Sequence, residues 1–213
     1  VFGGVVGALA ESFHARAALH RSRQARCYNS AMSQPVDASR IPELKEVVAL
    51  ALAEAKRIGA SQADADASLQ KGLNVSVRLG EVETVEYQRD RGLGITVYFG
   101  HRKGSASTGD FAPSAVCETV AKAAAFARYT AEDPCAGLAD AADMARDMVP
   151  LDLDHAWDIE PDAAVELARS CEAAGRALDA RLSNSEGASV STHRGVRVYG
   201  NTHGFLEGLA SSN

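Results

Sequence analysis

The chain has 213 residues, enough for one large domain or two small ones, and 46% of them are hydrophobic, which supports a real core. Aromatic residues make up only 6% while alanine abounds, so the core is expected to be built from small aliphatic side chains. The net charge is −6, yet Arg16, Arg21, Arg23 and Arg26 against Glu11 make residues 1–31 +3 and leave −9 on the body, which argues against broad nucleic-acid or anionic-membrane binding.

No apolar run approaches the roughly 20 residues of a membrane span. The four cysteines, Cys27, Cys117, Cys135 and Cys171, form no CxxC and no paired spacing, and read as reduced cytosolic thiols. Residues 1–36 are read as a disordered leader outside the fold. Three readings of residues 1–31 stay open: a transit-type presequence, a signal peptide lacking its charged start, or upstream sequence with Met32 as the true initiator. MSQPVDASRIPELKEVV reads as an ordinary cytosolic beginning and favours the last.

Residues 41–58 are predicted to be the first helix. Ile41, Leu44, Val48, Leu52, Ala55 and Ile58 share a face, Pro42 sits in the first turn, and Gly59 supplies the stop. Strands follow at 63–70, 73–79, 81–88, 93–99 and 104–108, with turns at Lys71-Gly72, Arg89-Asp90-Arg91-Gly92 and Gly100–Gly104. Val82 and Val85 stand three apart, which breaks strict alternation and predicts a bulge. Short turns require antiparallel neighbours, with helices covering one face.

Pro113 opens a helix to about Tyr129, whose buried face is Val116, Val120, Ala123, Ala124 and Ala127. A connection follows, with a helical turn expected within 139–148. Residues 161–178 form a third amphipathic helix, with Val165, Ala168, Cys171 and Leu178 inward. Short strands are expected near 181–185, 188–192, 196–199 and 205–209. The plan is an α/β fold of the α+β type. Residues 37–130 hold a mainly antiparallel sheet of about five strands covered by helices, 131–158 are a linker, and 159–213 begin a second helix-plus-strand module that stops short. Its last strand, near 205–209, is the expected association-prone edge.

Few constellations carry chemistry. There is no HExxH and no His, Cys or carboxylate set at ligand spacing. His193 and His203 stand in neighbouring predicted turns that can face one another, though ordinary turn histidines are the simpler reading. Gly92-Leu93-Gly94 enters a strand rather than opening a helix, unlike a dinucleotide loop. Cys117 and Cys171 read as core thiols, and Cys135 as a loop thiol with no readable histidine partner. His101-Arg102-Lys103 reads as a solvated hairpin tip rather than a phosphate site, and Glu81, Glu83 and Glu86 as a wet sheet face. No catalytic or metal-binding residue is assigned, and no substrate-binding residue can be named.

Three segments in order, LNVSVRLGEVETVEYQRDRGLGITVYFGHRKGSAST at 73–108, ARYTAEDPCAG at 127–137 and LSNSEGASVSTHRGVRVYGNTHG at 182–204, resemble the PmbA/TldD family, specifically its PmbA, or TldE, branch. The likeness covers about residues 42–213. It implies an N-terminal α/β domain leading to a largely β C-terminal domain. It also implies a cytoplasmic subunit of a two-component zinc metallopeptidase that acts on unfolded and small peptides. Within the family the HExxxH zinc motif belongs to the C-terminal region of the TldD-type partner, so this stretch is expected to carry no cofactor while zinc sits in that partner. An oligomer with the TldD-type subunit is implied, with neither membrane nor direct nucleic-acid contact. The alternative is a non-enzymatic adaptor of the gyrase-modulator or antitoxin-handling type.

Overall fold

A computed structural model of the chain describes residues 35–213, so the expectations for residues 1–34 fall outside the described residues. Val36, assigned above to the leader, is instead only 2% exposed and packs into the core. Asp37 caps a short 3-10 turn, Ala38–Arg40, by accepting from the Ser39 amide at 2.9 Å. That turn leads into helix α1 (Ile41–Arg57), with Pro42 in its first turn and Lys56 and Arg57 in its last. Gly59 takes φ +86 directly after the helix, the left-handed stop read from the sequence.

Strands β1 (Gln62–Arg78) and β2 (Glu81–Phe99) pair antiparallel along their whole length, forming one hairpin roughly 55 Å long. The expected turns at Lys71-Gly72 and Arg89–Gly92 do not form. Lys71 pairs with Arg89 and Gly72 with Gln88, all within continuous strands. The physical reason lies on the other side of β1. A Cβ on Gly72 would stand 2.9 Å from the Thr192 carbonyl oxygen, so this glycine permits a close strand approach rather than a reversal. The chain turns instead at Leu79-Gly80, with φ +52 and +82, the pattern of a type I′ hairpin turn. The predicted bulge is present: Ser76 faces Thr84 and Val77 faces Val82, leaving Glu83 as the extra residue.

Strand β3 (Arg102–Thr108) pairs with residues 93–99, and β1 pairs with β2 from Glu81 onward. Helix α2 (Pro113–Tyr129) follows as expected, with Val116, Val120, Ala123, Ala124 and Ala127 buried. Its predicted helical successor is a single 3-10 turn, Ala141–Asp143. Helix α3 spans Pro161–Arg176. Strand β4 (Ala188–Asn201) then pairs with β1 from Val77↔Ala188 to Asp64↔Asn201, and β5 (Leu206–Ser212) pairs with β4. The two strands expected at 188–192 and 196–199 are thus one, and 181–185 is not a strand. The result is a single antiparallel sheet of order β3-β2-β1-β4-β5, in which the later strands complete the first sheet.

The buried residues of β1 are Ala63, Ala65, Ala67, Leu69, Leu73, Val75 and Val77, all on one face by the alternation of a strand. Helices α1 and α2 cover its first half in one core cluster, and α3 covers Leu73, Val75 and Val77 in a second. The expected inward set of α3 needs correction. Cys171 is exposed and Leu178, past the helix end, is 84% exposed, whereas Glu172 is buried. Among the described residues the opposite face of the sheet carries no helix.

Candidate functional site

The helix-free face near the start of β1 gathers the side chains of Asp64 and Asp66 with those of Thr96, Tyr199 and Arg197 on the paired strands. Tyr98 Oη donates to Asp64 Oδ2 at 3.4 Å. Burial pushes the Asp64 carboxyl up, the Tyr98 hydrogen bond works against that push, and the charge of Asp66 adds to it. The Tyr98 hydroxyl is itself pushed up, first by burial and then by the Asp64 charge. Asp66 pairs with Arg197 at 3.3 Å, and Gly94 leaves room for it, since a Cβ there would stand 3.2 Å from Asp66 Oδ1. Beside this group lies a hollow of about 390 Å³ lined by Met148, Tyr199, Phe205 and Leu209, with the Tyr199 and Phe205 ring centroids 5.9 Å apart. This face offers a carboxyl whose charged form burial disfavours, a phenol and an apolar hollow, groups suited to hydrogen bonding and docking.

The described histidines do not converge. His193 lies in β4 with Nε2 3.0 Å from Gln70 Oε1, while His203 follows the far end of that strand, 3.4 Å from Gln62 Nε2. The strand from His193 to its end at Asn201 sets them roughly 25 Å apart, so the pair that adjacent turns promised cannot share a ligand. His155 Nε2 lies 2.8 Å from the Asp152 carbonyl oxygen. Among the described residues no three His, Cys, Asp or Glu side chains form a group able to hold a metal. A zinc ion therefore does not fit them.

His101 does gain an unexpected neighbour. A hollow of about 480 Å³ is lined by Ser61, Gln62, His101, Pro134 and Cys135, so a histidine borders the loop of the thiol that had none in sequence. His101 Nδ1 is 3.4 Å from the Ala136 carbonyl oxygen, which holds the ring to that loop. Arg102 meets Glu132 at 3.3 Å and the Lys103 carbonyl accepts from Thr130 Oγ1, so the basic turn is tied to the chain after α2. Gly92-Leu93-Gly94 lies inside β2, as its strand context implied.

A third hollow, about 190 Å³, lies beside the middle of β1 and is lined by Lys71, Leu73, Tyr87, Trp157, Thr192 and Arg194. Arg194 donates from Nε and Nη2 to the two carboxylate oxygens of Asp154 at 2.7 and 2.8 Å, and Lys71 meets Asp158 at 2.9 Å. The Arg194 guanidinium holds the Asp154 carboxyl below the usual range.

Sequence reasoning missed Glu172. Its carboxylate accepts from the amides of Leu79 at 2.7 Å and Gly80 at 2.8 Å, docking the hairpin tip on α3. The Gly80 amide, first, and then the Leu79 amide hold this carboxyl below its ordinary value. Arg169 Nε donates to the Gly80 carbonyl and Arg78 Nε to that of Ser185, both at 3.0 Å. The available signal was a glutamate four residues after Ala168 and seven after Val165, a charge on the stripe that should be apolar.

Two family profiles match the chain in succession. PmbA/TldA metallopeptidase domain 1 matches residues 63–149 and the PmbA/TldA metallopeptidase central domain matches 154–211. The chain is 48% identical over 171 residues to Metalloprotease PmbA of Escherichia coli O157:H7, covering 79% of this chain and 37% of that protein. It is 48% identical over 170 residues to a Metalloprotease PmbA homolog of Haemophilus influenzae, covering 80% and 38%. The chain thus spans less than two fifths of these curated relatives. Among solved structures, TldE from Thermococcus kodakarensis aligns with a TM-score of 0.64 at 18% identity, over 78% of this chain and 37% of that one. A Bacteroides thetaiotaomicron protein described as a candidate modulator of DNA gyrase aligns with a TM-score of 0.66 at 21% identity, over 80% and 39%. The fold read from the residues, a mainly antiparallel sheet covered by helices, is the fold these neighbours share, and the chain belongs to the PmbA/TldD family.

Proposed function

We propose that this chain supplies part of the scaffold of a PmbA/TldE-type subunit in a two-component zinc metallopeptidase of the cytoplasm. A TldD-type subunit carries the zinc, and the pair acts on unfolded and small peptides. The single observation behind this reading is the 48% identity to a protein named Metalloprotease PmbA across 79% of the chain. The local chemistry supports a supporting role: among the described residues His193 and His155 are held apart in separate hydrogen bonds, and the polar sheet face offers docking groups.

The test is to co-purify the intact protein with its TldD-type partner, then measure zinc content and cleavage of an unfolded peptide. Zinc and cleavage should both vanish when the partner's HExxxH motif is substituted. Stoichiometric zinc retained by this chain alone after dialysis against a weak chelator contradicts the proposal. An assembly that binds peptide without cleaving it would favour the adaptor reading instead.

A further inference from the structure

The sheet has an open edge where the sequence did not point. The expected edge, β5, has its Ser212 amide met by the Leu153 carbonyl at 2.8 Å and its Glu207 held by Lys45 at 2.8 Å. At the other margin stands β3, which pairs with β2 alone among the described strands. The Tyr98 carbonyl accepts from the Ser61 amide at 2.8 Å, so the backbone groups of Tyr98 point toward β1 and away from its β3 neighbour Lys103. By the alternation of a strand, Lys103, Ser105 and Ser107 then aim their N–H and C=O groups outward. Thr130 Oγ1 fits that direction, donating to the Lys103 carbonyl at 2.9 Å. Among the described residues no group meets the outward backbone of Ser105 or Ser107, and both residues are exposed. Such a row of free donors and acceptors is a template for another strand.

The packing above this edge selects the occupant. A Cβ on Gly104 would lie 2.2 Å from the Ala123 carbonyl oxygen and 2.5 Å from the Ala127 nitrogen, so α2 runs directly over the edge strand. A second copy paired antiparallel across a two-fold normal to the sheet would bring two α2 helices about 5 Å apart, one strand spacing. Packed helices stand roughly 8–10 Å apart. The edge thus rejects its own copy and leaves room for a single strand. Phe126 marks the path of that strand. Cys117 lies within electrostatic reach of Arg57 at the end of α1, and Phe126, nine residues later, stands half a turn round the helix from it. Phe126 therefore projects from the flank away from α1, in the same turn that crosses Gly104, and is 58% exposed. A strand laid along β3 sends alternate side chains under this ring and onto the open face. Main-chain bonds to Ser105 and Ser107 are indifferent to side-chain identity, and the ring favours one apolar residue.

We propose that an extended peptide carrying an apolar residue adds to the outer edge of β3 as a further strand beneath Phe126. The inference deepens the peptidase reading and rests on it for the peptide as occupant.

Fluorescence anisotropy of a labelled peptide, Ser-Val-Thr-Phe-Thr-Val-Ser, with the 213-residue chain tests it. The natural chain should bind this probe. N-methylation of the probe's Phe and of the Thr after it removes a donor from each of its edges, and should weaken binding at least tenfold. Ser105→Pro removes an outward N–H that the ladder with β2 does not use, so circular dichroism should be unchanged while binding falls at least tenfold. Phe126→Ala should weaken binding several-fold. A natural chain that does not bind the probe, or binding indifferent to both N-methylation and Ser105→Pro, overturns the proposal; so does a dimer that Ser105→Pro dissolves. In the intact assembly with a TldD-type subunit, Ser105→Pro should raise KM for the peptide and leave zinc content unchanged. Cleavage with an unaltered KM overturns this inference and leaves the peptidase reading standing. Binding that depends on Ser105 without any cleavage upholds this inference and sinks the peptidase reading.

Discussion

Under α1 and α2 the inner face of β1 carries Ala63, Ala65, Ala67 and Leu69, whereas under α3 it carries Leu73, Val75 and Val77. Small side chains in the first half let two helices settle close to the sheet. Close enough, indeed, that a Cβ on Gly104 would lie 2.2 Å from the Ala123 carbonyl oxygen and 2.5 Å from the Ala127 nitrogen. In the second half the bulk is reversed: valines on the strand meet Ala164 and Ala168 on the helix. One helix leaves β2 uncovered there, and the hairpin tip is held by Glu172, Arg169 and Arg78. One half is therefore secured chiefly by a large apolar area, the other by a smaller apolar patch and charged hydrogen bonds to the hairpin tip. The difference predicts how each half breaks.

The largest effect is expected at Gly104. Gly104→Ala must push α2 off the sheet and should cost about 3 kcal/mol, against near-neutrality for Gly92→Ala, whose added Cβ would meet nothing within 4 Å. Equilibrium urea unfolding of both variants decides it; equal costs would mean that α2 does not rest on β3.

Next come matched truncations. Leu44 is fully buried, and Leu44→Ala should cost about 3 kcal/mol. Leu73 borders the cleft beside Trp157, so Leu73→Ala leaves a cavity open to water and should cost about 2 kcal/mol. A reversed order would show the α3 half to be the more tightly packed.

The pH response should separate Glu172 and Asp154 from Asp64 by sign. Glu172 and Asp154 are held below their ordinary values, so their contribution is present above the unfolded carboxylate range, about pH 4, and is lost as pH falls through their lower folded values. Asp64 is pushed up by burial, so its ionised form costs stability above its folded value, and that cost is relieved as pH falls. Unfolding midpoints followed down to pH 3 should therefore fall less steeply in Glu172→Gln, and more steeply in Asp64→Asn, than in the natural chain.

The smallest effect is expected at the turn. Leu79 holds φ +52 and is 46% exposed, so Leu79→Asn gives up little packing and should gain up to about 1 kcal/mol by easing the left-handed conformation. A loss would mean that the Leu79 side chain is needed at the tip.

The helices were legible because their apolar spacing, Pro42, Pro113 and Pro161 at their starts, and Gly59 after α1 all point the same way. The strands were legible as extended chain but not in number. Lys71-Gly72 and Arg89–Gly92 carry turn composition, and only pairing on both sides of β1 tells a close-approach glycine from a reversing one. That same long-range pairing hid the single sheet, since nothing local states that β4 returns to β1. The candidate site was least legible. Asp64 and Tyr98 meet across a strand register, Glu172 reaches a turn far away in sequence, and His101 finds the Cys135 loop only through the fold.

Amide hydrogen exchange along β1 tests the contrast between the halves most directly, because one continuous strand runs beneath both helix layers. Residues 63–69, under α1 and α2, should exchange only through global unfolding. Residues 73–78, under α3, should open at lower free energy and more readily still in Glu172→Gln. Uniform protection along all of β1, unchanged by that substitution, would contradict the division of the sheet into an apolar half and a latched half.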